Sequence, residues 1–108
     1  MRDVEAPRIS MLFHVTHVHT AETCPSNDPE RIKATFGKML ENANELDVKI
    51  HSMYSNNIAH TMYMVVESDS AESISKMMDP TLKIATAEIS PIVDAQAVMN
   101  RLIETPSA

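Results

Sequence analysis

Two strand-like runs, over 48–55 and 58–67, follow one another with only Asn56-Asn57 between them, and this pair constrains the fold more than any other feature. Asn tolerates positive φ, so the two residues suit a type I′ hairpin turn. Strands joined that tightly are antiparallel neighbours. Around the hairpin the pattern is regular. Residues 8–20, rich in β-branched and aromatic side chains, read as a strand buried on both faces. A loop over 21–27 leads to Asp28, which caps a helix with Pro29 at its first position. Ile32, Phe36, Met39, Leu40, Ala43 and Leu46 then recur at helical spacing until about Asp47.

After the hairpin, Asp69-Ser70-Ala71-Glu72 reads as a capping box for a short helix. Ile74, Met77 and Met78 form its inner face, and Asp79-Pro80 stops it. Residues 82–89 read as a fourth strand ended by Pro91, followed by an amphipathic helix carrying Ala95, Val98, Met99, Leu102 and Ile103. The order β-α-β-β-α-β plus a terminal helix predicts an α+β, ferredoxin-like split βαβ domain. It has a four-stranded antiparallel sheet with both helices on one face. The division is a lead-in over 1–7, one domain over 8–104 and a frayed tail over 105–108. The second sheet face has no cover within the chain, and another copy of the same sheet is the simplest one.

Composition narrows the function. A length of 108 residues with 44% hydrophobic and 22% charged residues suits one globular domain. A lone glycine, Gly37, cannot build a Gly-rich nucleotide loop. The net charge of −6, with scattered Lys and Arg, argues against nucleic acid. A single Cys, Cys24, suits a reducing compartment. The first residues carry no signal-like apolar core, and no apolar run approaches a membrane span. The expectation is a cytoplasmic protein without membrane contact.

The opening run Met11-Leu12-Phe13-His14-Val15-Thr16-His17-Val18-His19-Thr20, then Cys24-Pro25, together with the element order, resembles the dimeric α+β barrel superfamily over residues 9–92. That group includes antibiotic-biosynthesis-type monooxygenases, muconolactone isomerases, haem-degrading monooxygenases and small domains of unknown function. The resemblance implies a homodimer with a cavity between two sheets, and a monooxygenase-like or isomerase-like activity is one expectation. It assigns no catalytic residue and no cofactor.

Candidate site residues follow from strand alternation. A two-residue turn pairs Met53 with His60, His51 with Met62 and Lys49 with Met64 on one face. The opposite set, including Ile50, Tyr54, Tyr63 and Val65, suits packing under helices. His51, Met53, His60, Met62 and Met64 then line the open face as ligand-binding residues. On the first strand Met11, Phe13 and Val15 go to the helices, which leaves His14 for the cavity. On the last strand Glu88 joins it. His14 and Glu88 are candidate acid–base groups, and His14, His60 and Glu88 together make a two-histidine, one-carboxylate set for iron. A second cluster is His17, His19 and Cys24. Two histidines at alternate strand positions point the same way, and a thiolate returning from the following loop would complete a zinc or copper site.

Three functions therefore compete: a small-molecule enzyme or binder, a transition-metal or haem protein, and a dimerisation module without chemistry. Methionine as soft core filler is the plain alternative for the Met-rich face.

Overall fold

In the computed structural model, residues 10–104 are described; the lead-in and the tail lie outside them. Strand β1 (Met11–His19) is followed by α1 (Pro29–Ile32), a five-residue π segment (Lys33–Gly37) and α2 (Lys38–Glu45), which run on as one helical rod. The hairpin β2 (Lys49–Asn56) and β3 (Thr61–Ser68) comes next. Then come α3 (Ala71–Met78), a 3-10 turn (Asp79–Thr81), β4 (Ala85–Ile92) and α4 (Ala95–Glu104). The four strands form one open antiparallel sheet in the order β2-β3-β1-β4.

The capping chemistry matches the sequence closely. Asp28 Oδ1 accepts from the backbone N–H of Glu30 and Arg31, with Pro29 at the first helical position. Ser70, rather than Asp69, caps α3 by accepting from the Ser73 amide. Residues 82–84 turn rather than pair, so β4 starts at Ala85 and runs through Pro91 to Ile92. A proline is tolerated there because β4 is an edge strand, which pairs on one side only.

Register decides the faces. Phe13, Val15 and His17 of β1 stand opposite Val66, Met64 and Met62 of β3. Across the other edge they meet Pro91, Ile89 and Ala87 of β4. This is the face under the helices. Its core joins Phe13, Val15, Met62, Met64 and Val66 to Met39, Ala43, Ile74, Met77 and Met78. The open face carries Leu12, His14, Thr16 and Val18 of β1, with Thr61, Tyr63, Val65 and Glu67 of β3.

Met53, Met62 and Met64 therefore lie under the helices, contrary to the sequence expectation. Strand β3 carries apolar side chains on both faces, Tyr63 and Val65 on one and Met62, Met64 and Val66 on the other, so alternation alone does not decide which side is inside. Pairing with β1 decides it. Two further features depart from the expected hairpin. The turn spans four residues, 57–60, so Asn56 pairs with Thr61, Ser55 with Met62 and Met53 with Met64. A bulge between Ile50 and Ser52 returns Ile50 to the covered face opposite Val66. His51, at the bulge, leaves the methionines and contacts Glu67 at 2.7 Å.

Candidate metal centre

The site forms at the end of the covered face, where β1 leaves the sheet and the β2–β3 turn closes over it. Three local structures bring the side chains together. After His19 the chain turns on a reciprocal threonine pair. The Thr20 amide donates to Thr23 Oγ1 at 3.0 Å, and the Thr23 amide donates to Thr20 Oγ1 at 3.2 Å. The Arg31 guanidinium donates to the Thr23 carbonyl at 3.3 Å, which ties this turn to the helix. Cys24 follows at once, so the turn brings its thiol back toward the strand it has just left.

The second structure is the hairpin turn. Asn56 Oδ1 accepts from the amides of Ile58 and Ala59, both at 3.1 Å. The chain then reaches His60 with φ of 50°, in the left-handed region. The His60 carbonyl accepts from the His19 amide at 3.1 Å, which fixes the turn against the end of β1. Left-handed backbone costs a residue with a Cβ roughly 1–2 kcal/mol. Here it sets the His60 ring 5.2 Å from that of His19.

The third structure is the π segment. Thr35 Oγ1 donates back to the Arg31 carbonyl at 2.6 Å, a side-chain bond that competes with regular helical pairing. Phe36, within the segment, meets the His17 ring edge-on at 5.3 Å. Single π turns of this kind are frequent at functional sites.

The outcome is a cluster in which ring nitrogens of His19 and His60 and the thiol sulfur of Cys24 all lie within 4.8 Å of one another. Tetrahedral zinc with two nitrogens and one sulfur needs donor separations of roughly 3.4–3.6 Å, so small side-chain rotations suffice. Both His19 nitrogens are buried and have no hydrogen-bond partner among the described residues, a costly condition that invites a partner. Burial, then the neighbouring His60, holds the His19 pKa below its usual value. That favours the neutral imidazole which binds metal. Hydrogen bonding from Ser26, with a smaller contribution from Arg31, holds the Cys24 thiol below its ordinary range and so favours the thiolate. Cys24 Sγ lies 3.2 Å from Ser26 Oγ.

All three side chains line a cavity of about 500 Å³ between the helical rod and the β2–β3 hairpin. Ile32, Phe36, Met39, Leu40, Met53 and Met62 make most of its apolar wall.

Of the expected trio His17, His19 and Cys24, two come together, and His60 takes the third place. His17 lies next to His19, with ring centres 6.0 Å apart, but it is fully buried against Phe36. Burial, then the neighbouring His19, lowers its pKa. His60 was outside the expected trio because a two-residue turn put it within β3, far from Cys24. The signal for its true position was the Asn56-x-x-x-His60 spacing, which allows the Asn side chain to organise a longer turn.

His14 and Glu88 do share the open face. His14 stands opposite Val65 and Ser90, and Glu88 opposite Thr16. The His14 ring is 6.2 Å from the Tyr63 ring, and its Nδ1 is 3.4 Å from Thr16 Oγ1. His60 is on the other side of the sheet. His14 and His60 therefore do not share a sheet face, and His14, His60 and Glu88 are not brought together as one set. Met53, Met62 and Met64 belong to the covered face, where Met53 and Met62 line the cavity and Met64 is core.

A small open-sheet α+β domain with a histidine and cysteine cluster at one end is the class of protein so defined. Residues 11–105 match the family described as Domain of unknown function (DUF3303), and the chain belongs to that family. No curated protein and no solved structure matches the chain. Among the described residues, no helix is long and apolar enough to cross a membrane.

Proposed function

We propose that the chain binds one transition-metal ion, zinc by preference, through His19, Cys24 and His60. The reading is carried by the convergence of three donor atoms from three separate segments: the end of β1, the loop after it and the hairpin turn. Two imidazoles and a thiolate form a borderline-soft donor set that suits zinc or copper better than calcium or magnesium. Three protein ligands leave the fourth tetrahedral position to another group, the arrangement that metal sites of chemical rather than structural purpose use. An apolar cavity beside that position gives a small molecule room to approach the ion. Zinc titration into the metal-free protein tests the reading by calorimetry. One equivalent per chain is expected, with binding strongly weakened in His60→Asn. No binding above that of this variant would contradict it.

We also infer that the domain is of the ferredoxin-like dimeric α+β barrel type, pairing through its open sheet face. Two unpartnered apolar surfaces favour this. The sheet face presents Val18, Tyr54 and Tyr63, each more than 40% exposed. Helix α4 buries no residue and leaves Met99, Leu102 and Ile103 exposed. A second copy would cover both at once. On this reading the inter-sheet space holds His14 and Glu88 as its polar groups, and it remains the place for any monooxygenase-like or isomerase-like chemistry. Analytical ultracentrifugation checks the pairing. A dimer at micromolar concentration supports it, and a 12.0 kDa monomer contradicts it.

A further inference from the structure

We propose that the cavity beside the metal cluster binds a small molecule with an anionic, metal-coordinating head and a short hydrocarbon tail. The inference rests on the zinc reading above and gives that site its ligand class.

Charge selects the head. A divalent ion held by one thiolate and two neutral imidazoles keeps a net charge of +1. The surroundings do little to balance it. The cavity wall is dominated by Ile32, Phe36, Met39, Leu40, Met53 and Met62, and among the described residues no Asp or Glu lines it. Beside such an apolar wall an uncompensated charge is less well solvated than in open water. An anionic donor at the fourth position neutralises the ion, whereas a neutral amine does not.

Shape selects the tail. His19, Cys24 and His60 line the same cavity as the apolar side chains, so a group bound to the ion from the open side extends along them. Thioethers of Met39, Met53 and Met62 adapt to hydrocarbon of varied shape. Polar groups to anchor a second head are few: Ser55, Asn56, Asn57 and Thr61 sit on the hairpin side. The cavity is thus polar where the metal would sit and oily along the helix, which matches a molecule with one acid end.

The test uses the full chain loaded with one equivalent of zinc and a series of straight-chain alkanehydroxamates from two to eight carbons, measured by calorimetry. Affinity should rise roughly fourfold per added methylene until the cavity is filled. An alkylamine of equal length should bind more weakly than the hydroxamate. Ile32 and Leu40 are part-exposed, 37% and 46%, so Ile32→Glu and Leu40→Glu should fold. Each should flatten the chain-length dependence while zinc stays bound. Zinc binding with an affinity independent of chain length, or with amine and hydroxamate equal, overturns this inference and leaves the metal reading standing. Failure to take up zinc at all overturns both.

Discussion

Strand β3 shows two faces of similar chemistry in two different situations. Met62, Met64 and Val66 are buried under the helices, while Thr61, Tyr63 and Val65 face away from them. Local sequence does not separate these sets, since both are apolar enough to be inside. What separates them is the partner strand. Val15 and Phe13 can be covered by α2 and α3, and Met64 and Val66 follow because they stand opposite. The covered face carries the stability, and at its end it also carries the His19, Cys24 and His60 cluster. The open face carries neither, and its apolar residues matter through what comes to cover them.

The largest expected effect separates the faces by stability. Met64→Ala should cost about 2–5 kcal/mol in urea unfolding, because it empties a fully buried position. Tyr63→Ala on the opposite face should lose stability only as far as a second copy is present, so its cost should vary with protein concentration. Equal, concentration-independent losses from the two variants would break the distinction.

A second effect separates the site from the core that supports it. Cys24→Ser should lower zinc affinity at least roughly 100-fold, since even groups that merely orient metal ligands are worth 10–100-fold. The same variant should leave the metal-free stability within about 0.5 kcal/mol, as Cys24 is only half-buried and lies outside the hydrophobic core cluster. A variant that binds zinc as before, or unfolds, would place Cys24 in the core instead of the site.

A smaller effect concerns pH. Burial, then the charge of its histidine neighbour, lowers the pKa of His17 in the folded chain. The unfolded chain therefore takes up a proton first. Metal-free stability should be flat above about pH 7 and fall as pH drops through the ordinary imidazole range near 6.5 toward the lower folded value. His17→Phe should reduce that slope. Denaturant midpoints from pH 8 to pH 5 measure it, and an unchanged slope would assign the acid sensitivity elsewhere.

Much of the fold was readable in the residues. Asp28-Pro29, the stripe from Ile32 to Leu46 and the paired strands required only local rules, and the α+β class with an antiparallel sheet followed from their order. The face of β1 was also readable, because Phe13 and Val15 contrast with His14 and Thr16. The face of β3 was not, because Tyr63 and Val65 on one side are as fit for burial as Met62 and Met64 on the other. The site was half legible. His19 and Cys24 stood close in sequence, so a loop could return one to the other. His60 comes from 36 residues further along the chain than Cys24, and only a four-residue turn, a left-handed backbone and a bond to the His19 amide bring it there. The last of these exists only in the assembled sheet.

X-ray absorption at the zinc edge reads whether His19, Cys24 and His60 share one metal ion. One sulfur at about 2.3 Å and two imidazole nitrogens at about 2.0–2.1 Å are expected, with the sulfur shell lost in Cys24→Ser. A shell of nitrogen and oxygen alone in the native chain, unchanged by that substitution, would contradict it.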